Sequence, residues 1–317
     1  MKIFSTKSSL RSFTIVTAAA GALLWSLASE SHGADLFVGN SNNRTIARVT
    51  VGGAASTFYS DAGATIPNGM AFDTAGNLFV VNSADNTIER ITPQGIASVF
   101  ATGLSGPQGM AFDSLGNLYV SGTFKVVRIT PGGVKSDFYT GGGTGGGGLA
   151  FDSVGNLYLA TTSNSTIQKI TPGGAGSLFL SGNGLNIPVG LAFSASGNLF
   201  VANYNANSIL TVTPGGVASV FYSGAALNSP IGLAFDGAGD LFVANVTGNN
   251  IQRFTPAGVP SLFYSGSGVS DPRFIAFAPV PEPTSSILLL SGLGALCGWR
   301  RERRPRPAPG AGGALAD

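Results

Sequence analysis

The sequence is poor in charge and in reactive side chains. Charged residues make up 10% of its 317 residues, and it has one cysteine and one histidine. A single cysteine excludes a disulfide framework within the chain, and one cysteine with one histidine excludes the usual Cys/His zinc sites. The formal net charge is only +2, which does not provide the basic surface that nucleic acid requires. We therefore expect no nucleic-acid partner.

Glycine and apolar residues are abundant instead. The chain has 47 glycines, a hydrophobic fraction of 44% and a mean hydropathy of +0.29. This composition is unlike that of a charge-rich disordered chain, and glycine does not recur at every third residue as it does in collagen. The composition favours many short strands joined by tight turns.

The first 34 residues have the pattern of a secretory signal with a helical apolar core. Lys2, Lys7 and Arg11 precede an uncharged, mostly apolar stretch from Phe13 to Ala28. Small residues near the end of that stretch offer cleavage points. An uncleaved membrane anchor is the alternative interpretation.

A second segment with the pattern of a targeting signal lies near the C-terminal end of the sequence. Pro281, Glu282 and Pro283 precede an apolar run of about 13 residues, short for a membrane span. The arginines that follow are expected to stay cytoplasmic, by the positive-inside rule. They are Arg300, Arg301, Arg303, Arg304 and Arg306.

This order resembles the PEP-CTERM sorting signal over residues 280–306. The resemblance implies a helix that anchors an exported protein transiently in the inner membrane until an exosortase removes it. A plain C-terminal membrane anchor is the alternative. Residues 307–317 are expected to be a disordered tail.

Between these ends the sequence repeats with a period near 40 residues. One position of the repeat is spaced by 40, 39, 42 and 42 residues, which indicates a stacked or radial array. Its members are Asn77, Asn117, Asn156, Asn198 and Asp240.

Each repeat contains four short strand patterns. In the first complete unit they cover 69–72, 77–81, 87–92 and 97–100, and an Asp-x-x-Gly turn joins the first two. Four antiparallel strands with apolar residues on both faces are typical of a β-propeller blade.

The number of blades follows from where the first-strand and second-strand patterns begin and end in the sequence. The second-strand pattern occurs six times, beginning at Leu36, whereas the first-strand pattern occurs six times ending at 272–278. The last first-strand pattern should complete the first blade. Residues 35–279 are therefore predicted to form an all-β, six-bladed propeller of four-stranded antiparallel blades.

The repeat resembles the NHL family and, more loosely, regucalcin-like and virginiamycin B lyase-like propellers. The resemblance rests on Pro-x-Gly-Leu/Met-Ala-Phe-Asp-x-x-Gly-Asn-Leu-Phe/Tyr-Val-Ala-Asn followed by Asn-x-Ile-x-Arg-Ile-Thr-Pro-x-Gly. It implies a fold but not an activity, because this fold carries many functions. The family's lyases rely on histidines, and residues 34–279 have none. Its lactonases use a glutamate near the start of the propeller, where this chain offers only Asp35 and Asp61. The only glutamate within residues 34–279 is Glu89.

The candidate binding site is one rim of the propeller. The middle residues of the Pro-x-Gly units should surround the central mouth, and the second strands end on the same side, so amides gather there. Val189 and Ile231 also occupy middle positions, and the Gly141 to Gly148 run is interpreted as a flexible connector. The candidate ligand-binding residues are Asn40, Asn68, Asn82, Gln108, Asn203, Tyr204, Asn245 and Arg273.

Two structural alternatives accompany this site. The asparagines that end the second strands can instead cap the turn to the third strand. The aspartates of the Asp-x-x-Gly turns are interpreted as Asx turns rather than as a ring of carboxylates.

The expected function is a non-catalytic scaffold in the cell envelope or outside the cell, which binds a protein or an exopolysaccharide. No catalytic residue, resident metal or cofactor is expected. The alternative is a secreted or periplasmic metal-dependent hydrolase or lyase, for which calcium best suits oxygen-only ligands.

Overall fold

A computed structural model describes residues 34–60, 67–141 and 145–279. These residues form 24 strands, arranged in six antiparallel sheets of four strands each, and one short 3-10 turn at Tyr204–Ala206. The predicted six-bladed propeller is thus confirmed. The expected helical segments at both termini, and the sorting residues, lie outside the described residues.

Blades 1 to 3 are built from the following strands. Blade 1 contains β24 (Pro272–Phe277), β1 (Leu36–Asn40), β2 (Thr45–Val49) and β3 (Ala55–Ser60). Blade 2 contains β4 (Pro67–Phe72), β5 (Leu78–Asn82), β6 (Thr87–Ile91) and β7 (Ala97–Ala101). Blade 3 contains β8 (Met110–Phe112), β9 (Leu118–Ser121), β10 (Lys125–Ile129) and β11 (Lys135–Thr140).

Blades 4 to 6 follow in chain order. Blade 4 contains β12 (Gly146–Phe151), β13 (Leu157–Thr161), β14 (Thr166–Ile170) and β15 (Gly176–Ser181). Blade 5 contains β16 (Pro188–Phe193), β17 (Leu199–Asn203), β18 (Ser208–Val212) and β19 (Ala218–Ser223). Blade 6 contains β20 (Pro230–Phe235), β21 (Leu241–Asn245), β22 (Asn250–Phe254) and β23 (Pro260–Ser265).

The two ends of the propeller sequence close the ring within blade 1. Strand β24 pairs antiparallel with β1, with Leu36 opposite Phe277 and Val38 opposite Ile275. The Ala278 N–H donates a further hydrogen bond to the Asp35 carbonyl oxygen at 3.0 Å. The predicted closure is confirmed, and it gives blade 1 the same four strands as the other blades.

The second strand of each blade is buried on both faces because a neighbouring blade covers each face. Every residue of β5 and of β17 is buried, including the terminal asparagine. A strand covered on both faces loses the alternation of polar and apolar residues, which explains the runs Leu-Phe-Val-Val and Leu-Phe-Val-Ala.

A cluster of three aromatic rings links each blade to the next. Phe100 is the extra residue of a β-bulge between β6 and β7, and its ring lies 4.9 Å from that of Phe79, edge to face. Phe79 in turn contacts Phe112 of blade 3 at 5.1 Å. The same arrangement recurs at the other interfaces, with Phe37, Tyr119, Tyr158, Phe200 and Phe242 as the central rings. These rings are used in packing between blades.

Glycine in the Pro-x-Gly units allows the innermost strands to meet. A Cβ atom placed on Gly190 would lie 1.9 Å from the Ile231 carbonyl oxygen, and one on Gly109 would lie 2.4 Å from the Gly147 carbonyl oxygen. Neither distance leaves room for a side chain. The glycine is therefore required by backbone contact around the axis. Blade 1 departs from this pattern, since Phe274 occupies the corresponding position.

Candidate functional site

The middle residues of the Pro-x-Gly units lie on the innermost strands or, for Gln108, just before one, and these strands contact one another around the central axis. In blade 2 the register between β4 and β5 shifts between Pro67 and Met70, so Asn68 lies at a bulge. The Gly69 N–H donates to the Gln108 carbonyl oxygen of blade 3 at 2.7 Å, which joins neighbouring middle positions. We call this ring of six middle positions the mouth.

The mouth has one polar half and one apolar half. Blades 1, 2 and 3 contribute Arg273, Asn68 and Gln108 in ring order, and blades 4, 5 and 6 contribute Gly147, Val189 and Ile231. Gln108 is the exposed member of the polar half. The sequence interpretation of 141–148 as a connector is wrong for its last part, because Gly146–Phe151 is a strand.

Asn68 is the unusual member of the polar half. Only 7% of its surface is exposed, yet among the described residues the buried side-chain polar atom that lacks a partner is Ser41 Oγ and not the Asn68 amide. Arg273 is half-buried, and its Nε lies 3.5 Å from Asp271 Oδ2, at the limit of a hydrogen bond. Arg273 and Asn68 thus occupy neighbouring middle positions of the mouth, in blades 1 and 2.

The asparagines that end the second strands are engaged within the protein. Asn203 Oδ1 accepts a hydrogen bond from the Asn186 N–H at 2.7 Å, and its Nδ2 donates to the Gly184 carbonyl oxygen at 2.6 Å. These bonds hold the loop that enters β16. The same pair of bonds is made by Asn245 with Asn228 and Ala226, and by Asn40 with Ser270 and Gly268.

Asn82 makes a different contact. Its Nδ2 donates to Asp85 Oδ2 at 3.0 Å, within the turn from β5 to β6. All four second-strand asparagines are buried. A ligand would have to break these internal bonds to reach the amides, so ligand binding through them remains a prediction that the geometry does not favour.

Left-handed residues in the second-to-third-strand turns of blades 2, 4, 5 and 6 connect each of these blades to the next, a feature that the sequence interpretation missed. Asn207 has φ of 47°, and its Oδ1 accepts from the Ser229 N–H at 2.6 Å across the blade interface. Asn86 and Asn249 make the corresponding bonds to Gly106 and Asp271. Asparagine tolerates this conformation better than other non-glycine residues, and its recurrence at one repeat position was the available signal.

Tyr204 follows Asn203 at the same side of the propeller. Its N–H donates to the Ile187 carbonyl oxygen at 3.1 Å, and the residue is half-buried at the start of the 3-10 turn. The turn residue Asn205 is fixed by a 3.2 Å contact with Asn186. Tyr204 is thus held beside the entry to β16, in the blade that contributes Val189 to the mouth.

Blade 3 departs from the pattern of the second-strand asparagines. Ser121 replaces the asparagine, accepts from the Gly109 N–H at 2.9 Å and donates to the Gly147 carbonyl oxygen at 2.7 Å. A small depression with room for about one water molecule lies beside it, lined in part by Leu104 and Lys125. The Lys125 ammonium contacts Asp137 at 2.6 Å.

The turn aspartates on the other side of the propeller have a structural role. Asp113 Oδ1 accepts from the N–H groups of Leu115 and Asn117, and Oδ2 accepts from the Asn117 amide, all at 2.8 to 2.9 Å. The same Asx geometry recurs at Asp73, Asp152 and Asp236. Burial acts to raise the pKa of Asp113, but hydrogen bonds from Asn117, Leu115 and Tyr119 outweigh it and lower the pKa.

Acidic and basic residues on this side also pair within blades. Arg253 forms an ion pair with Asp240, and Arg48 forms one with Asp35. Among the described residues, no group of three or more His, Cys, Asp or Glu side chains is placed to hold a metal ion. In the part of the chain that the structure describes, none of the helices has the length and apolarity needed to cross a membrane.

Comparison with known proteins identifies the C-terminal segment and the fold. Residues 279–304 match the family model described as the PEP-CTERM protein-sorting motif. No curated protein matches the sequence.

Several solved structures share the propeller. One is the virginiamycin B lyase from Staphylococcus aureus, which is similar at a TM-score of 0.60 and 19% sequence identity. It was solved with quinupristin, as a catalytically inactive variant in which a histidine is replaced by alanine. That match covers 79% of this chain and 94% of the lyase chain. A chain of the nidogen/laminin complex is similar at a TM-score of 0.69 and 19% identity, covering 78% and 99% of the two chains. A Bacteroides caccae protein of unknown function is similar at a TM-score of 0.62 and 16% sequence identity, and the match covers 79% of this chain and 100% of that one.

At these identities the likeness establishes the fold, while the motif match identifies the segment after it. The chain is therefore a six-bladed β-propeller followed by a PEP-CTERM protein-sorting motif.

Proposed function

We propose that this protein is exported, is held transiently in the inner membrane by its C-terminal segment, and works in the cell envelope or outside the cell as a non-catalytic binding module. The sorting motif supports the route, because such motifs direct exported proteins to an exosortase. The ligand binds at the mouth of the propeller. The observation that carries this proposal is the run of polar middle residues on three consecutive blades, namely Arg273, Asn68 and exposed Gln108.

The asparagine-bonded loops support the mouth in this proposal. Asn40, Asn203 and Asn245 fix the loops that enter the innermost strands, and those strands carry the middle residues of the mouth. A site on a rigid scaffold loses little conformational entropy on binding. The amides thus contribute by positioning the loops.

A direct test is a binding panel with the full-length protein in detergent. The panel contains dextran, polygalacturonate, alginate and a set of unstructured peptides on one surface. We expect at least one member to bind, and the Gln108→Ala/Arg273→Gln variant to bind it at least tenfold more weakly. The control is Leu115→Ala, at an exposed turn on the opposite side. The proposal fails if no member binds or if both variants bind equally.

The route of export has its own test. Intact mass of the mature protein, compared between cells with and without an exosortase gene, should show loss of the C-terminal segment only when the enzyme is present. Replacing Pro281, Glu282 and Pro283 by alanine should retain the segment.

A metal-dependent hydrolase or lyase is the second candidate, because the virginiamycin B lyase shares the fold. The lyase variant with a histidine replaced by alanine is inactive, and residues 34–279 of this chain contain no histidine. Any metal site here would use oxygen ligands, which suit calcium. Calorimetric titration with calcium distinguishes the two candidates: binding at micromolar concentration favours the enzyme, and no binding at millimolar concentration favours the binding module.

A further inference from the structure

The chain enters and leaves the propeller on the side opposite the mouth. Strand β24 is the innermost strand of blade 1, and its last residue, Phe277, lies opposite Leu36, the first residue of β1. The Ala278 N–H donates to the Asp35 carbonyl oxygen at 3.0 Å, so the two chain ends are neighbours there. Because β24 is innermost, the chain continues towards residue 280 from a point near the central axis.

The same side of the propeller carries most of the exposed large apolar side chains. We call it the turn face: it consists of the first-to-second-strand and third-to-fourth-strand turns, at 73–77 and 92–96 in blade 2 and at the matching positions of the other blades. Among the described residues, seven of the twelve exposed large apolar side chains lie in these turns, four lie on outermost strands and one, Phe124, lies on the mouth side. Val154, in the first-to-second-strand turn of blade 4, is 75% exposed. Apolar side chains gathered on one side of a protein mark a contact surface.

Four of these side chains occupy one repeat position in the third-to-fourth-strand turns. They are 60–68% exposed, so they are not part of the core, and they are Ile96, Val134, Val217 and Val259. The Ile96 N–H donates to Thr92 Oγ1 at 3.3 Å, and the Ile96 carbonyl oxygen accepts from the Thr92 N–H at 2.9 Å. The same two bonds hold the turn at the other three positions. The side chains are thus presented by fixed turns, which lose little conformational entropy on contact.

The length of chain after the propeller limits which side can approach a membrane. Seven residues, 280–286, separate Pro279 from the apolar run that begins at Ile287, and they span at most about 25 Å. A path from the innermost strand to the mouth side crosses three strand spacings, about 14 Å, and then follows the length of a five-residue strand, about 17 Å. This path is longer than the tether, so the mouth cannot be brought against a bilayer that holds the apolar run. The side from which the chain leaves can be.

Charge does not give the turn face a strong preference for anions. Five third strands carry Arg or Lys at their penultimate position, close to this face. Arg48 is paired with Asp35, and Arg253 is paired with Asp240. The other three cations lie in blades 2, 3 and 4, each of which also has one turn aspartate. A contact made by this face is therefore expected to depend on its apolar side chains.

We infer that the turn face contacts the lipid surface of the membrane in which the C-terminal segment is held, and that the mouth is directed away from that membrane. The exposed apolar side chains of the turns enter the headgroup layer, where they leave water. The short tether keeps the face at a high local concentration beside the bilayer, so a weak contact suffices. The inference goes beyond the proposed function, because it holds whatever the mouth binds. It shares with that function only the anchoring in the membrane.

The test uses the full-length protein inserted into phosphatidylcholine vesicles through its C-terminal segment, with a fluorophore on one engineered cysteine. Every variant carries Cys297→Ala, which removes the natural thiol. Lipids with a nitroxide on the headgroup should quench the fluorophore at Val154→Cys at least twofold. They should leave the fluorophore at Phe124→Cys unchanged. Phe124 is the matched control, because it is an apolar residue, 61% exposed, in the turn between β9 and β10 on the mouth side.

Two further measurements examine the cause of the contact. The substitutions Ile96→Ser, Val134→Ser and Val217→Ser, made together, should at least halve the quenching at Val154→Cys. Thermal unfolding of this variant should match that of the parent, because all three positions are exposed. Addition of phosphatidylglycerol to the vesicles should leave the quenching unchanged.

Several results would overturn the inference. Equal quenching at Val154→Cys and Phe124→Cys would show that the propeller has no fixed orientation, and full quenching in the triple variant would show that the apolar turns do not make the contact. Energy transfer between labels at Val154→Cys without quenching by lipid would identify a second copy of the chain as the occupant. Protein that floats with the vesicles but is not quenched would overturn this inference and leave the proposed function intact. Protein that does not float with them would overturn the anchoring, and the inference with it.

Discussion

The side-chain amide of Asn40 donates a hydrogen bond of 2.9 Å to the carbonyl oxygen of Gly268, 228 residues later in the sequence. Asn40 is the last residue of β1, and Gly268 lies in the loop that leads into the closing strand β24. The Asn40 carbonyl oxygen of the same amide accepts from the Ser270 N–H at 3.1 Å. One buried side chain thus joins both ends of the ring, next to the backbone pairing of β1 with β24.

Asn40→Ala should therefore destabilise ring closure. The substitution leaves the Gly268 carbonyl and the Ser270 N–H, both only partly buried, without their partner, and an unpaired group that water does not reach costs about 1–3 kcal/mol. We expect the free energy of unfolding to fall by about 2 kcal/mol or more, measured by urea denaturation. The matched control is Asn42→Ala, at an exposed position two residues away, which should change stability by less than about 0.5 kcal/mol. Equal midpoints for the two variants would contradict a closing role for Asn40.

The closure itself was predictable because the repeat is displaced at its ends. The second-strand pattern begins at Leu36 without a preceding first strand, and an unpaired first-strand pattern remains at Pro272. An unpaired strand edge exposes N–H and C=O groups that can bond to another strand. The second-strand pattern at one end and the first-strand pattern at the other are therefore expected to pair. The Asx turns were predictable for a similar reason, since Asp73 and its bonding partners lie within four residues of one another.

The role of the second-strand asparagines was harder to predict because their partners are not local. Asn203 bonds residues 17 and 19 positions earlier, in a loop whose path the sequence does not determine. An amide at a strand end looks the same whether it faces solvent or holds such a loop. The burial of Asn68 had the same limitation, because its neighbours come from adjacent blades.

The aromatic clusters should carry a large share of the stability between blades. Phe79 is 4% exposed and contacts Phe100 of its own blade and Phe112 of the next. Phe79→Ala removes both edge-to-face contacts and leaves a cavity, so we expect a loss of about 3–5 kcal/mol in the free energy of unfolding. Phe124→Ala is the control, because that ring is 61% exposed. A similar loss of unfolding free energy in both variants would mean that the buried aromatic cluster contributes no more to stability than an exposed ring does.

The turn at Asp113 should make stability depend on acid pH. Hydrogen bonds hold the pKa of its carboxyl below 3.8 in the folded protein. A lowered folded-state pKa gives a stabilising contribution that is complete above the unfolded-state pKa and is lost as the pH falls through the folded-state value. Asp113→Ser copies Ser194, which accepts the corresponding Asn198 N–H in blade 5. The stability difference between wild type and variant should shrink between about pH 5 and pH 2. A difference that stays constant over this range would show that ionisation of Asp113 is not involved.

The last prediction concerns the contact between innermost strands. In Gly190→Ala the new methyl group would lie 1.9 Å from the Ile231 carbonyl oxygen, which belongs to β20 and cannot move without shifting that strand. Overpacking against backbone costs about 1–3 kcal/mol, so we expect a loss in that range or aggregation through an opened ring. Gly237→Ala is the matched control, because a Cβ there has no atom within 4 Å. It should leave stability unchanged or raise it slightly through the unfolded state. If Gly190→Ala is as stable as Gly237→Ala, the innermost strands have room to separate, and the rigid mouth on which the binding site depends would be lost.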